Sequence, residues 1–183
     1  MEVINTPLDG AFVIKPIPYR DDRGTFIKTF HDDIFSKNGL VSSFRESFYS
    51  TSKKNVIRGM HFQLPPHDHV KIVYVTNGSI IDVILDIRNG SPTFGKYFEC
   101  ELSATNGLIM YIPTGCAHGF LSLEDASCVI YSHSTTYMPD SDSGIHYDSF
   151  GFNWGVNKPI ISERDHKLVA FEDFKSPFAY GKK

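Results

Sequence analysis

Gly107-Leu-Ile-Met-Tyr-Ile-Pro113-Thr-Gly115-Cys-Ala-His118, residues 107–118, reads as a strand, a tight turn and the opening of a second strand. The apolar, β-branched run favours extended chain, and Pro113 with Gly115 supplies the backbone that a short connection needs. His118 then points inward. The same grammar repeats on either side, with FVI (12–14), KIVYV (71–75), SIIDVILDI (79–87) and SCVIY (127–131) as further strands. Between them stand NG (77–78), RNGSP (88–92), TNG (105–107) and PDSDSG (139–144), spaced so closely that only hairpin connections fit. The middle of the chain is therefore all-β. SIIDVILDI alternates imperfectly but puts Asp82 and Asp86 on one face, which predicts polar side chains directed into a barrel lumen or its mouth.

Only two segments read as helical, and both are peripheral: HDDIFSKNG (31–39), with an acidic first turn and a closing glycine, and the tail SERDHKLVAFEDF (162–174). No repeat or linker divides residues 1–183, so one domain with a real core is expected. A net charge of −3 argues against a nucleic-acid partner, although a small basic pocket for a diphosphate is compatible with it. No apolar run approaches the roughly 20 residues that span a bilayer, and MEVINTPLDG lacks the order of a secretion signal, so no membrane partner and a cytoplasmic location are expected. Cys100, Cys116 and Cys128 form no CxxC pair and read as reduced core residues.

The 107–118 stretch is similar to the second cupin motif, G-x5-P-x-G-x2-H, with Ser122 where asparagine is usual. The resemblance implies a double-stranded β-helix, or jelly-roll, barrel. The first cupin motif is only half present: His67-Asp68-His69 precedes Gly78, but Val73 and Tyr74 stand where a carboxylate ligand belongs. A metal-dependent cupin would use His67, His69 and His118; the competing reading is a solvated loop following Pro65-Pro66.

Arg58-Gly-Met-His61-Phe-Gln63, Lys71, His118, Tyr131 and Asp165 combine a base, an acid and several cations. Together with DDRGTF (21–26), DVILDIR (82–88), SPTFG (91–95), IPTGCAHGF (112–120), Tyr137 and ISERD (161–165), they resemble the dTDP-4-dehydrorhamnose 3,5-epimerase family in order over residues 10–165. The resemblance implies an enzyme needing no metal or redox cofactor. His61 would remove the proton beside a C4 ketone, Asp165 would orient it, Tyr131 would protonate the opposite face and Lys71 would stabilise the enolate. Arg58 and a partner subunit's copy of Arg23 would clamp the diphosphate, Phe26 and Tyr137 would sandwich the base, and His118 would line the same cavity. A homodimer exchanging N-terminal strands follows from the same likeness. His31, His133, His146 and His166 are expected at the surface, and a non-catalytic sugar-binding cupin remains the alternative outside enzymology.

Three residues depart from the family pattern. Lys28 replaces the glutamate of RGxFxE, and QxNxSxS appears as Glu46-x-Phe48-x-Ser50-x-Ser52. A lysine can only donate, which suits N3 of cytosine and not the N3–H of thymine. Phe48 for asparagine adds apolar surface, as suits a sugar lacking a hydroxyl, and Glu46 could accept from a ribose 2′-OH. These changes favour a CDP-3,6-dideoxy-4-hexulose inverted at C5, with the dTDP-linked 3,5-epimerase as the alternative.

Overall fold

The computed structural model describes residues 1–181. In chain order the first elements are β1 (Glu2–Asn5), β2 (Phe12–Lys15), β3 (Tyr19–Asp21), β4 (Gly24–Phe26) and helix α1 (Asp32–Lys37). The barrel strands follow as β5 (Glu46–Ser52), β6 (Ile57–Gln63), β7 (Lys71–Asn77), β8 (Ser79–Asp86), β9 (Tyr97–Ser103), β10 (Ile109–Ile112), β11 (Cys116–Ser122) and β12 (Ser127–His133). A short β13 (Asp142–Gly144) and a one-turn α2 (Glu163–His166) complete the set.

Six strands form one sheet in the order β1-β2-β10-β7-β12-β5, and five form another in the order β13-β6-β11-β8-β9. β3 and β4 stand apart as a hairpin. Every pairing in the two large sheets is antiparallel. The two sheets face each other across Val73, Val75, Met110, Ile112 and Val129 from one side and Ile80, Ile84, Leu102 and Phe120 from the other. This is the expected cupin-like jelly roll, nearly all-β.

Burial on both faces explains the imperfect alternation of SIIDVILDI. Ile80 and Ile84 face the opposing sheet, whereas Val83, Leu85 and Ile87 pack outward under Phe150, Phe152, Trp154 and Phe178. A strand covered on both sides needs apolar residues at nearly every position. The cover is supplied by the C-terminal region, and there the expected helix over 162–174 is corrected: only α2 and a single 3₁₀ turn at Phe171–Asp173 form. The apolar residues of the tail sit where the sheet needs plugs, with Phe174 and Phe178 edge-on to Phe62, on backbone that beyond Asp173 is not helical.

On the other flank α1 forms as expected, with Asp32 and Asp33 in its first turn, Lys37 in its last and Gly39 beyond it at φ +70°. Phe35 and Leu40 bury against Ile14, Ile72 and Ile109 on the outer face of the six-stranded sheet. Asp86, on the same face of β8 as Asp82 and at its end, is buried, and its carboxylate accepts from Arg88, Ser91 and Thr93, closing the turn that follows. Asp82 does face inward and meets His118.

Candidate active site

A cavity of about 630 Å³ opens between the sheets. Alternation along each strand decides what lines it. β6 contributes His61 and Gln63, β7 Lys71, β11 His118, β12 Tyr131 and His133, and β5 Glu46, Phe48 and Ser50.

Asp165 reaches this cavity from α2. The Ser162 hydroxyl caps that helix by accepting the Asp165 backbone N–H at 3.1 Å, and the buried carboxylate lies 2.7 Å from His61 Nε2. Its second oxygen accepts the Gly59 N–H at 3.3 Å. Burial raises the Asp165 carboxyl, but the bonds from His61, Gly59 and Ser162 and the adjacent imidazole outweigh it and hold it below the ordinary carboxylate range. An ionised carboxylate only accepts, so His61 Nε2 carries the hydrogen and Nδ1 keeps the lone pair. Burial lowers the His61 pKa despite Asp165, so the imidazole is neutral at pH 7 and available as a base.

Beside it, β6 and β11 approach unusually closely. A Cβ at Gly59 would fall 2.5 Å from Gly119 Cα, and one at Gly119 would fall 2.8 Å from the Arg58 carbonyl oxygen. This double-glycine contact sits in a register irregularity between His118 and Phe120, with His118 paired opposite His61. The two imidazoles therefore line the same wall. His118 Nε2 lies 2.6 Å from Asp82 Oδ1, both groups being buried.

The facing wall belongs to the six-stranded sheet. Lys71 is buried, donates to the His61 carbonyl oxygen at 3.0 Å, and is pushed down to about 8 by burial, against the pull of Asp142 and Asp82. It is still largely an ammonium at pH 7. Burial pushes the Tyr131 phenol well up, so it holds its proton; its hydroxyl is 3.4 Å from Ser50 Oγ. Phe48 lies nearly parallel on the Tyr131 ring, centroids 4.8 Å apart at 18°, as its cross-strand partner.

Of the residues expected at the site, His61, Lys71, Tyr131, Asp165, Glu46, Phe48, Arg58, His118 and Tyr137 meet around this cavity. Arg58 is held by Ser52 and the Thr51 carbonyl. Glu46 accepts the Tyr137 backbone N–H at 2.6 Å, which makes it a brace for the Tyr137 loop. Arg23, Phe26 and Lys28 lie elsewhere, on or just after the exposed β3–β4 hairpin, where Arg23 pairs with Asp21. Two expectations are corrected. His133 is 8% exposed and His69 7%, and both line the cavity rather than sitting at the surface or in a solvated loop. His31 and His146 are half-buried and His166 is exposed. Among the described residues no three His, Cys, Asp or Glu side chains are grouped to hold a metal ion, so His67, His69 and His118 do not form a ligand set. Gln63, Asp142 and Arg164 also line the cavity unforeseen, the last two as an ion pair at 2.7 Å.

A neutral imidazole on one wall, and a protonated phenol with a buried ammonium on the other, equip this cupin-like barrel to take up and deliver a proton, as an isomerase would. The sequence matches the family model of dTDP-4-dehydrorhamnose 3,5-epimerase over residues 5–173. The dTDP-4-dehydrorhamnose 3,5-epimerase of Methanothermobacter thermautotrophicus is 42% identical over 88% of this chain and 90% of its own. The Bacillus anthracis enzyme, solved with TDP and pyrophosphate bound, superposes with a TM-score of 0.90 at 35% identity, covering 92% of this chain and 98% of its own. The Legionella pneumophila Philadelphia 1 enzyme, solved with dTDP-4-keto-L-rhamnose, gives a TM-score of 0.90 at 32% identity over 95% and 94%. The chain belongs to the dTDP-4-dehydrorhamnose 3,5-epimerase family.

Proposed function

We propose that this enzyme inverts C3 and C5 of a dTDP-linked 4-keto-6-deoxyhexose without a cofactor. The carrying observation is the His61–Asp165 dyad facing Tyr131 across a cavity that also holds the Lys71 ammonium. His61 Nδ1 takes the proton from the carbon beside the ketone, and Asp165 stabilises the imidazolium. The electron pair moves onto the C4 oxygen, where Lys71 meets it out of water. Tyr131 delivers a proton to the opposite face, which inverts the centre. Arg58 holds the diphosphate, joined by Arg23 from the hairpin of a second copy, with Phe26 of that copy and Tyr137 on the base. The hairpin's exposed Tyr19 and Phe26, 63% and 61% accessible, support such a homodimer. A cytoplasmic location goes with this reading.

The test is incubation with dTDP-4-keto-6-deoxyglucose in deuterium oxide, followed by NMR. Deuterium at C3 and C5 with formation of the inverted sugar is expected, and none with His61→Ala. Wild-type protein leaving both carbons protonated refutes the reading.

Phe48 supports a second reading, a CDP-3,6-dideoxy-4-hexulose inverted at C5 alone. Its ring, 42% exposed, presents an apolar surface to the cavity beside Tyr131, and Lys28 suits cytosine. The ligands named for the solved relatives support the thymidine-linked reaction instead. Calorimetric titration of CDP and dTDP into wild type and Lys28→Glu separates the two, because tighter CDP binding that the substitution erases belongs only to the cytidine enzyme.

A further inference from the structure

His69 lines the cavity two positions before Lys71, and its tautomer is fixed by its surroundings. The Gln63 amide is oriented by the backbone: its oxygen accepts the Met138 N–H at 2.6 Å, and its nitrogen donates to the carbonyls of His67 at 2.7 Å and Thr136 at 3.3 Å. That nitrogen, which can only donate, also lies 3.1 Å from His69 Nδ1, so Nδ1 accepts, sharing one of the two amide hydrogens with the Thr136 carbonyl. The Thr135 hydroxyl, 3.5 Å from the same atom, already donates to the His67 carbonyl. Burial, then the nearby Lys71 charge, pushes His69 down to about 3, so the ring is neutral. A neutral imidazole accepting at Nδ1 carries its hydrogen on Nε2. Yet Nε2 is buried with no partner. His133 stacks on the ring at 4.1 Å and 20°, and Phe48 braces His133 edge-on at 5.0 Å. The ring is thus clamped with an unused donor in a residue that lines the cavity, and a buried donor with no protein partner is rare unless a ligand or an ordered water completes it.

We propose that His69 is a substrate-binding residue whose Nε2–H donates to an oxygen of the sugar ring, on the Lys71 side of the cavity. The proposal rests on the nucleotide-sugar reading above. His69→Phe keeps the stacked ring and removes only the donor, since Gln63 retains its two carbonyl acceptors. An acceptor on the sugar then goes unpaired, which predicts a loss of about 5- to 150-fold in kcat/KM for dTDP-4-keto-6-deoxyglucose and in affinity for dTDP-glucose. Affinity for dTDP alone stays unchanged, and Tm holds or rises because the free protein no longer buries an unpaired N–H. His69→Gln, which restores a donor, recovers part of the loss. In wild type, ¹⁵N-resolved histidine spectra show an Nε2–H tautomer whose signal moves with dTDP-glucose and not with dTDP. Equal weakening of dTDP and dTDP-glucose with a lower Tm would mean that the ring is merely structural, and kcat/KM within twofold of wild type would equally overturn the proposal. A wild type inert on the keto sugar refutes the proposed reaction instead, and His69 is then judged by the difference between the dTDP-glucose and dTDP affinities.

Discussion

Replacing Asp165 by asparagine probes the dyad most directly, because the change is nearly isosteric and alters the 2.7 Å contact with His61 while the amide oxygen can still accept the Gly59 N–H. Two effects contribute. The imidazolium formed during proton removal loses a charge-assisted bond, worth about 1.5–3 kcal/mol, or roughly 10- to 150-fold in rate. The asparagine amide can also donate to Nε2, which moves the ring hydrogen to Nδ1 and removes the lone pair assigned to the base. A misplaced tautomer of this kind costs about 10⁴ in the serine-protease triad. The triad figure already includes the lost charge, so the expected loss lies between the two, at about 10²- to 10⁴-fold. The Ser162 cap is made by the backbone N–H of residue 165 and survives, so the fold is retained. Deuterium wash-in from solvent, read by mass spectrometry, isolates proton removal from later steps, and calorimetry with dTDP checks that binding persists. An asparagine variant that exchanges within about threefold of wild type would refute a base oriented by this carboxylate.

Tyr131→Phe is expected to keep deuterium exchange while forming little inverted sugar, since the Phe48 stack preserves the ring and only the far-face acid is lost; equal loss of both signals would reassign Tyr131 to binding. The pH profile of kcat/KM is expected to fall above about 8, as Lys71 surrenders its charge, and to fall on the acid side only below 6.5, where His61 gains a proton. Lys71→Met should be slow and lack the alkaline limb, and a limb that persists would place the titration on another group.

The strands were legible because β-branched runs and turn residues act locally. β8 read less cleanly, since its second covered face comes from residues about seventy positions later, among them Phe150 and Trp154. The dyad joins residues 104 apart and could be anticipated only through the family strings. His69 reads as part of a loop after Pro65-Pro66 and His133 as a surface residue, although period two carries the signal: if Lys71 and Tyr131 face inward, so do the residues two away. The unpaired Nε2 had no such signal, for it depends on how Gln63 is held. Lys28 and Phe26 were legible as a departure and an aromatic, yet they lie off their own chain's cavity, and only the family resemblance pointed to a site on a second copy.

The contact of Gly59 with Gly119 has a bearing on how such a site can change over time. Each glycine excludes a side chain on the other, since a methyl at Gly59 meets the Gly119 Cα and one at Gly119 meets Met60 and Arg58. No single replacement relieves the other position, and replacing both compounds the crowding. The floor beneath His61 and His118 is thus locked by two residues with no side chain to tune. Variation among descendants of this chain should fall on the walls and the hairpin, leaving the chemistry fixed while the accepted sugar and nucleotide drift.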